Sequence, residues 1–211
     1  MTKPDLMSFA TDERTDLLDL LRGLTVAQWE AQSLCTAWRV RDVAVHVVSY
    51  DELSNRDLAA TFLRGGPRVS MVNQVAMRRY ADLDAQAIID LVARCLRPRG
   101  LTAGFKGGIA LTDSTIHQQD IRRAIGLPRT IPPERLARVL DFAMTAPTLP
   151  AKKNARGLRL IATDMDWTTG SGPVASGPAE ALLMTIAGRP DALADLDGDG
   201  TETLRQRIHT R

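Results

Sequence analysis

The sequence predicts a mainly α protein in two parts: an antiparallel helical bundle over residues 1–147, then a small α/β unit over residues 148–211. Three observations predict it. Apolar residues recur at helical spacing from about residue 5 to residue 144. The stretch TAPTLPAKKNARG, with its prolines and basic residues, then breaks the pattern and reads as a linker. Beyond it, GLRLIATDMDWTT trades polar and apolar residues in strand fashion.

Each element follows from local signals. Residues 5–23 read as the first helix, with Leu17, Leu18, Leu20 and Leu21 near its end and Gly23 as its stop. Thr25 caps a short helix carrying Trp29. After the loop SLCTAW, one helix is expected from Val40 to Leu63, where GGP ends it. Segments 69–80 and 84–97 are the next two, the second stopping before Pro98. GLTAGFKGG is glycine-rich but lacks the GKS/T of a phosphate loop, so it reads as a flexible connection. A helix from Ile109 to Ile125 ends at Gly126, with Pro128 just beyond, and Pro132 and Pro133 open another to about Met144. In the second part, SGPVASGP is turn material beside a short strand. PAEALLMTIAGRP is a helix opened by Pro178 and closed by Gly188, and DGTETLRQRIHTR is a final amphipathic turn or helix. ADLDGDG suggests a calcium loop, with Asp195, Asp197 and Asp199 alternating. The twelfth position counted from Asp195 is Gln206 where a glutamate is needed, so a turn with helix capping is the better reading.

Composition narrows the function. With 44% hydrophobic and 25% charged residues the chain is an ordinary globular protein, and with 4% aromatics its core must be aliphatic. A net charge of +2, with no basic stripe, argues against a nucleic-acid partner. The start, MTKPDLMSFATDER, has no apolar signal region, and no stretch is long enough to span a membrane, so a cytoplasmic protein is expected. Cys35 and Cys95 make no disulfide framework, and both read as small buried side chains. A monomer or a homodimer fits.

The chemistry is concentrated at two histidines. His46 lies in the helical run WRVRDVAVHVVSYDEL, and His117 lies in ALTDSTIHQQDIRRAIG. Asp113 is four residues before His117, which puts both on one helix face, one turn apart. One histidine from one helix, with a carboxylate and a histidine from another, makes three N/O ligands, as a catalytic zinc site with an open fourth position requires. The plainer alternative is a pair of core histidines satisfied by neighbours. The apolar flanks, Val43, Val45 and Val47 for one and Ile116 and Ile121 for the other, mean that each ring needs a partner.

These residues also carry a resemblance. SLCTAWRVRDVAVHVV, with Cys35, Trp38, Val40, Asp42 and His46, resembles one signature of the mycothiol-dependent maleylpyruvate isomerase-like family, within the DinB-like four-helix-bundle superfamily. HQQDIRRAIGLP, with His117, Asp120, Arg122, Arg123, Ala124 and Gly126, is similar to another. ATDMDWTTGSGP and AGRPDALADLDGDG look like the small domain that family appends. The resemblance implies a divalent metal, usually zinc, on His46, Asp113 and His117. Relatives usually have Glu or His where this chain has Asp113. It implies mycothiol, the low-molecular-weight thiol of actinobacteria, as co-substrate for cis–trans isomerisation of a small electrophile or for S-transfer that detoxifies it. Asp120 is expected to support catalysis from beside His117, or to pair with Arg123. Arg122 and Arg123 are candidates to bind the co-substrate, and Arg189 matches the family's Gly-Arg as a catalytic candidate. Two other readings stay open: a metal hydrolase that activates water with the same ligands, and a non-catalytic paralogue acting in stress response.

Overall fold

A computed structural model of the chain describes residues 5–209; residues 1–4 and 210–211, the ends of the predicted N-terminal segment and of the last helix, lie outside the described residues. The chain divides into two compact units, residues 1–128 and 129–211.

The first unit holds seven α-helices among the described residues. Helix α1 (Leu6–Arg22) is capped by Asp5, whose carboxylate accepts the Ser8 N–H at 2.8 Å, and it stops at Gly23. Helix α2 (Val26–Glu30) opens on a Thr25–Gln28 capping box. Then come α3 (Val40–Val48), α4 (Asn55–Gly65), α5 (Val69–Met77), α6 (Ala85–Arg94) and α7 (Gly108–Ala124). Helix α1 packs on α6 and α7, and α3 packs on the same two, so these four close into a ring. Its interior is aliphatic: Leu17, Leu21, Val40, Val43, Leu91, Val92 and Ile121 are all fully buried. Each such side chain contributes roughly 1.5–3 kcal/mol by leaving water. Helices α4 and α5 pack on each other as an excursion between α3 and α6.

Two expectations need correction here. The single helix over Val40–Leu63 is broken after Val48, because the Ser49 N–H and Oγ both turn back to the His46 carbonyl, at 3.1 and 2.9 Å. The break puts Asp51 inside the unit, where it meets Arg14. Arg14 Nη1 donates to Asp51 Oδ1 at 2.6 Å and Nη2 to Oδ2 at 2.9 Å, and both side chains are fully buried. Arg14 also donates to the carbonyls of Cys95 and Val47, and the Arg99 N–H donates to Asp51 Oδ1. Nor is GLTAGFKGG a flexible connection. It forms 3-10 turns over Gly100–Gly107, with Phe105 and Lys106 in left-handed backbone at φ 54° and 58°. Gly107, at φ 93°, leaves room for the start of α1: a Cβ there would stand 2.8 Å from the Met7 Cα. Thr102 Oγ1 reaches Asp51 Oδ2 at 2.9 Å, so this segment is tied to the same buried ion pair.

The second unit holds α8 (Pro133–Ala143), α9 (Ala151–Asn154), strands β1 (Arg159–Ala162), β2 (Thr168–Gly170) and β3 (Val174–Gly177), then α10 (Ala179–Ile186) and α11 (Gly200–His209). The sheet order is β2-β1-β3, with β1 antiparallel to β2 and parallel to β3. The chain passes from β2 to β3 around the end of β1, close enough that glycine is required. A Cβ on Gly170 would lie 2.1 Å from the Leu158 carbonyl oxygen, and one on Gly172 2.3 Å from that of Gly157. This compact unit begins at Arg129 and includes α8, which packs on α10. The expected linker is part of this unit too: α9 lies within it, and the buried Asn154 Nδ2 donates to the Ile186 carbonyl at 2.9 Å. ADLDGDG is a turn, as read: a 3-10 helix over Pro190–Asp195, a bridge from Ser176 to Asp197, then α11. No described helix is long and apolar enough to cross a membrane.

Candidate metal centre

Because α3 packs on α7, the one-turn spacing of Asp113 and His117 is brought to His46. Asp113 Oδ1 stands 3.6 Å from His46 Nε2 and 3.6 Å from His117 Nε2. Those separations are long for hydrogen bonds. They are close to the edge of a metal polyhedron: bonds of about 2.1 Å at a tetrahedral angle put ligand atoms about 3.4 Å apart. The two imidazoles meet edge to face with ring centroids 4.7 Å apart. His46 is buried, and its Nδ1 has no hydrogen-bond partner. Asp113, at 34% side-chain exposure, marks the open side of the group. Two imidazole nitrogens and a carboxylate oxygen, gathered on a partly open face, suit a borderline divalent ion such as zinc.

The other side of His117 is equally specified. Its Nδ1 lies 2.9 Å from Asp120 Oδ2, and Asp120 is fully buried. An Nδ1–H donated to Asp120 leaves Nε2 as the nitrogen that faces Asp113 and His46. Asp120 thus pairs with His117 beside it. The Cys35 Sγ also sits at this carboxylate, 3.1 Å from Asp120 Oδ2 and 3.7 Å from His117 Nδ1. Cys95 is buried, as expected, but Cys35 is only half-buried, at the edge of the centre rather than in the core. Trp38, from the same loop, lies across both histidines, with ring centroids 4.6 Å from His46 and 5.9 Å from His117.

Burial and charge set the protonation of the group. Burial works against an imidazolium at His117, but Asp113, with the hydrogen bonds to Asp120 and Cys35, outweighs it and pushes its pKa up to about 10. His46 goes the other way: burial holds its pKa below the ordinary value, against the pull of Asp113. For Asp113, burial opposes ionisation, but the two histidines prevail and hold its carboxyl below the usual range. Behind His46, burial and the Asp113 charge push the Tyr50 phenol up to about 12, so it stays neutral and donates to Asn73 Oδ1 at 2.6 Å.

The arginines are placed differently. Arg122 Nε donates to Gln118 Oε1 at 2.9 Å and Nη1 to the Leu127 carbonyl at 3.2 Å, which fastens the last turn of α7 to the chain beyond it. Arg123 follows it in the same last turn. Arg189 belongs to the second unit, where its guanidinium donates to the Ala187 carbonyl. Sequence reasoning missed Cys35 and Trp38 as neighbours of the histidines. The signal was available, since both lie in the first signature, eleven and eight residues before His46.

Residues 10–99 match the family model described as the mycothiol maleylpyruvate isomerase N-terminal domain. Cys35, Trp38, Val40, Asp42 and His46, which carry the first signature, fall within that segment; Asp113, His117 and Asp120 lie beyond it. Two solved structures share the fold. A crystal structure of the mycothiol-dependent maleylpyruvate isomerase aligns with a TM-score of 0.53 at 14% identity, over 92% of this chain and 91% of that one. That of a histidine-to-alanine mutant of the mycothiol-dependent maleylpyruvate isomerase aligns at 0.52 and 15%, with the same coverage. No curated protein matches.

Proposed function

We propose that His46, Asp113 and His117 hold a divalent metal of the zinc class, and that the protein uses it to activate a low-molecular-weight thiol, mycothiol, against a small electrophile. The outcome is S-transfer to that electrophile or its cis–trans isomerisation, in a reducing cytoplasm where such a thiol stays reduced. The observation that carries the reading is a carboxylate oxygen 3.6 Å from each of two imidazole nitrogens. The mycothiol in the family description and in the names of both structural relatives supports a thiol over water as the activated group.

A bound metal with one open position would lower the pKa of a thiol there and supply a thiolate nucleophile at neutral pH. The chain's own residues prepare for that. Asp120 accepts a hydrogen bond from the Nδ1–H of His117 and so makes Nε2 the nitrogen that would bind the metal once its own proton leaves. Trp38 packs against both imidazoles and His46 is buried, while Asp113 keeps part of the group accessible. In this proposal Asp120 acts by positioning His117, and no step runs through Arg122, Arg123 or Arg189.

The test has two arms. Protein purified without chelator should carry about one zinc-class ion per chain, and His46→Ala and His117→Ala should lose it, since two remaining ligands compete poorly with water. Full occupancy in both variants would overturn the site. Calorimetry of mycothiol binding, in buffers of different ionisation enthalpy, should show release of about one proton that depends on the metal. Binding unchanged in metal-free protein, or no thiol binding with hydrolysis of an activated ester instead, would overturn the thiol reading in favour of activated water.

A further inference from the structure

We propose that Cys35 is a positioning residue of this centre: its thiol donates to the Asp120 carboxylate that orients His117, and the hold on the metal depends on that bond. This rests on the reading of His46, Asp113 and His117 as ligands. Two donors converge on one oxygen, Asp120 Oδ2: His117 Nδ1 at 2.9 Å and Cys35 Sγ at 3.1 Å. Asp120 has no exposed side-chain surface, so each donor it receives offsets the removal of a carboxylate from water.

The loop that delivers the thiol is built rather than draped. Gln32 Nε2 donates to the carbonyls of Cys35 and Trp38, at 2.8 and 2.7 Å. The Ser33 hydroxyl reaches the Trp38 carbonyl at 2.7 Å and accepts the Cys35 N–H at 3.1 Å. The Leu34 N–H donates to the Asp120 backbone carbonyl at 3.1 Å, so the loop is joined to α7 at the residue whose side chain the thiol meets. Two side chains leave this framework for the centre: the Cys35 thiol, beside Asp120, and the Trp38 indole, across both imidazoles. A residue kept there for bulk alone would not need to face a buried carboxylate oxygen. A thiol does so as a donor, and it limits the rotation of the carboxylate that fixes the His117 ring.

The experiment measures zinc affinity of the full chain by chelator competition in wild type, Cys35→Ala and Cys35→Ser. It also follows the His117 Nδ1 proton by NMR in metal-free, histidine-labelled protein. Losing a group behind a metal ligand weakens binding by about ten-fold or more. Cys35→Ala should therefore bind zinc about ten-fold more weakly, with the Nδ1 resonance displaced. Cys35→Ser, which keeps a donor, should return both towards wild type. Unchanged affinity and resonance in Cys35→Ala would overturn the proposal. Equal losses in the alanine and serine variants would also overturn it, by assigning Cys35 to packing. A wild-type chain that binds no zinc would sink the ligand reading itself, an outcome separable from the other two because the proton resonance is read without metal.

Discussion

The first unit buries two polar groups of opposite character. Around Arg14 and Asp51 the carboxylate and both terminal guanidinium nitrogens are matched, and only Arg14 Nε lacks a partner. Both carboxylate oxygens take a guanidinium nitrogen, Oδ1 also takes the Arg99 N–H, Thr102 Oγ1 stands against Oδ2, and the pair is sealed from solvent. Around His46, Asp113 and His117 the atoms are gathered but not joined. The two 3.6 Å separations are too long for good hydrogen bonds, His46 Nδ1 has no partner, and Asp113 is one-third exposed. The difference teaches what each group is for. The first cluster's carboxylate is saturated, and the cluster fixes the fold. An unsaturated one at ligand spacing is what the proposed metal would complete.

The sharpest way to break that comparison is to open the saturated cluster. Asp51→Ala leaves Arg14 charged and buried, with only backbone carbonyls to receive it. Removing one partner of such a pair costs about 3–5 kcal/mol. Denaturant unfolding should show a loss of that size. An Arg14→Met, Asp51→Leu double variant should recover much of it, since replacing both charges with apolar groups is often close to neutral. A single variant as stable as wild type would show that the ion pair does not organise this end of the bundle.

The unsaturated cluster should reveal itself through pH. In metal-free protein the His117 pKa is pushed up to about 10, above the unfolded value of about 6.5. A raised imidazole pKa contributes stability that is fully present below about pH 6.5 and is lost as pH rises towards 10. Melting of metal-free protein should therefore become easier across that window. The same proton must leave Nε2 before a metal can take its place, so zinc affinity should rise about ten-fold per pH unit from near 7 to near 10, then level. His46 adds no slope there, because burial already holds it neutral. Zinc affinity flat across this range would mean that His117 does not exchange a proton for the metal.

How much of this was legible depends on sequence distance. Helices with local punctuation were readable: Asp5, Thr25 and Asp84 cap where an acceptor side chain precedes an apolar run, and Gly23 stops where a stop was expected. The helix that ran on in prediction, Val40–Leu63, breaks at Ser49, and what the break serves is not local. Asp51 is drawn to Arg14, 37 residues earlier, and nothing in SYDELS reports that partner. The centre shows the same division. Asp113 and His117 were paired because i, i+4 spacing is a property of one helix, and His46 stood out by its apolar flanks. The Cys35–Asp120 contact spans 85 residues; the two signatures hold both residues, but nothing in their spacing says that they meet. The linker was misread because proline and lysine mark exposed turns whether or not a helical turn between them packs, as α9 does through Asn154.

The smallest expected effect refines the comparison at its saturated side. Thr102 Oγ1 lies 2.9 Å from Asp51 Oδ2 and 2.9 Å from the Arg99 carbonyl, and its single proton serves one of them. Thr102→Val keeps the shape and removes the hydroxyl. Asp51 retains its two guanidinium bonds and the Arg99 N–H, so no charge is left bare. The loss should be about 1 kcal/mol, that of one hydrogen bond, rather than the several expected when a partner charge is removed. Zinc affinity should not change, because Thr102 touches only the saturated cluster. A loss as large as that of Asp51→Ala would mean that Thr102 anchors the left-handed Phe105–Lys106 segment against α1. A fall in zinc affinity would mean that the two clusters are coupled, and the division between a group that holds the fold and a group that awaits a ligand would then fail.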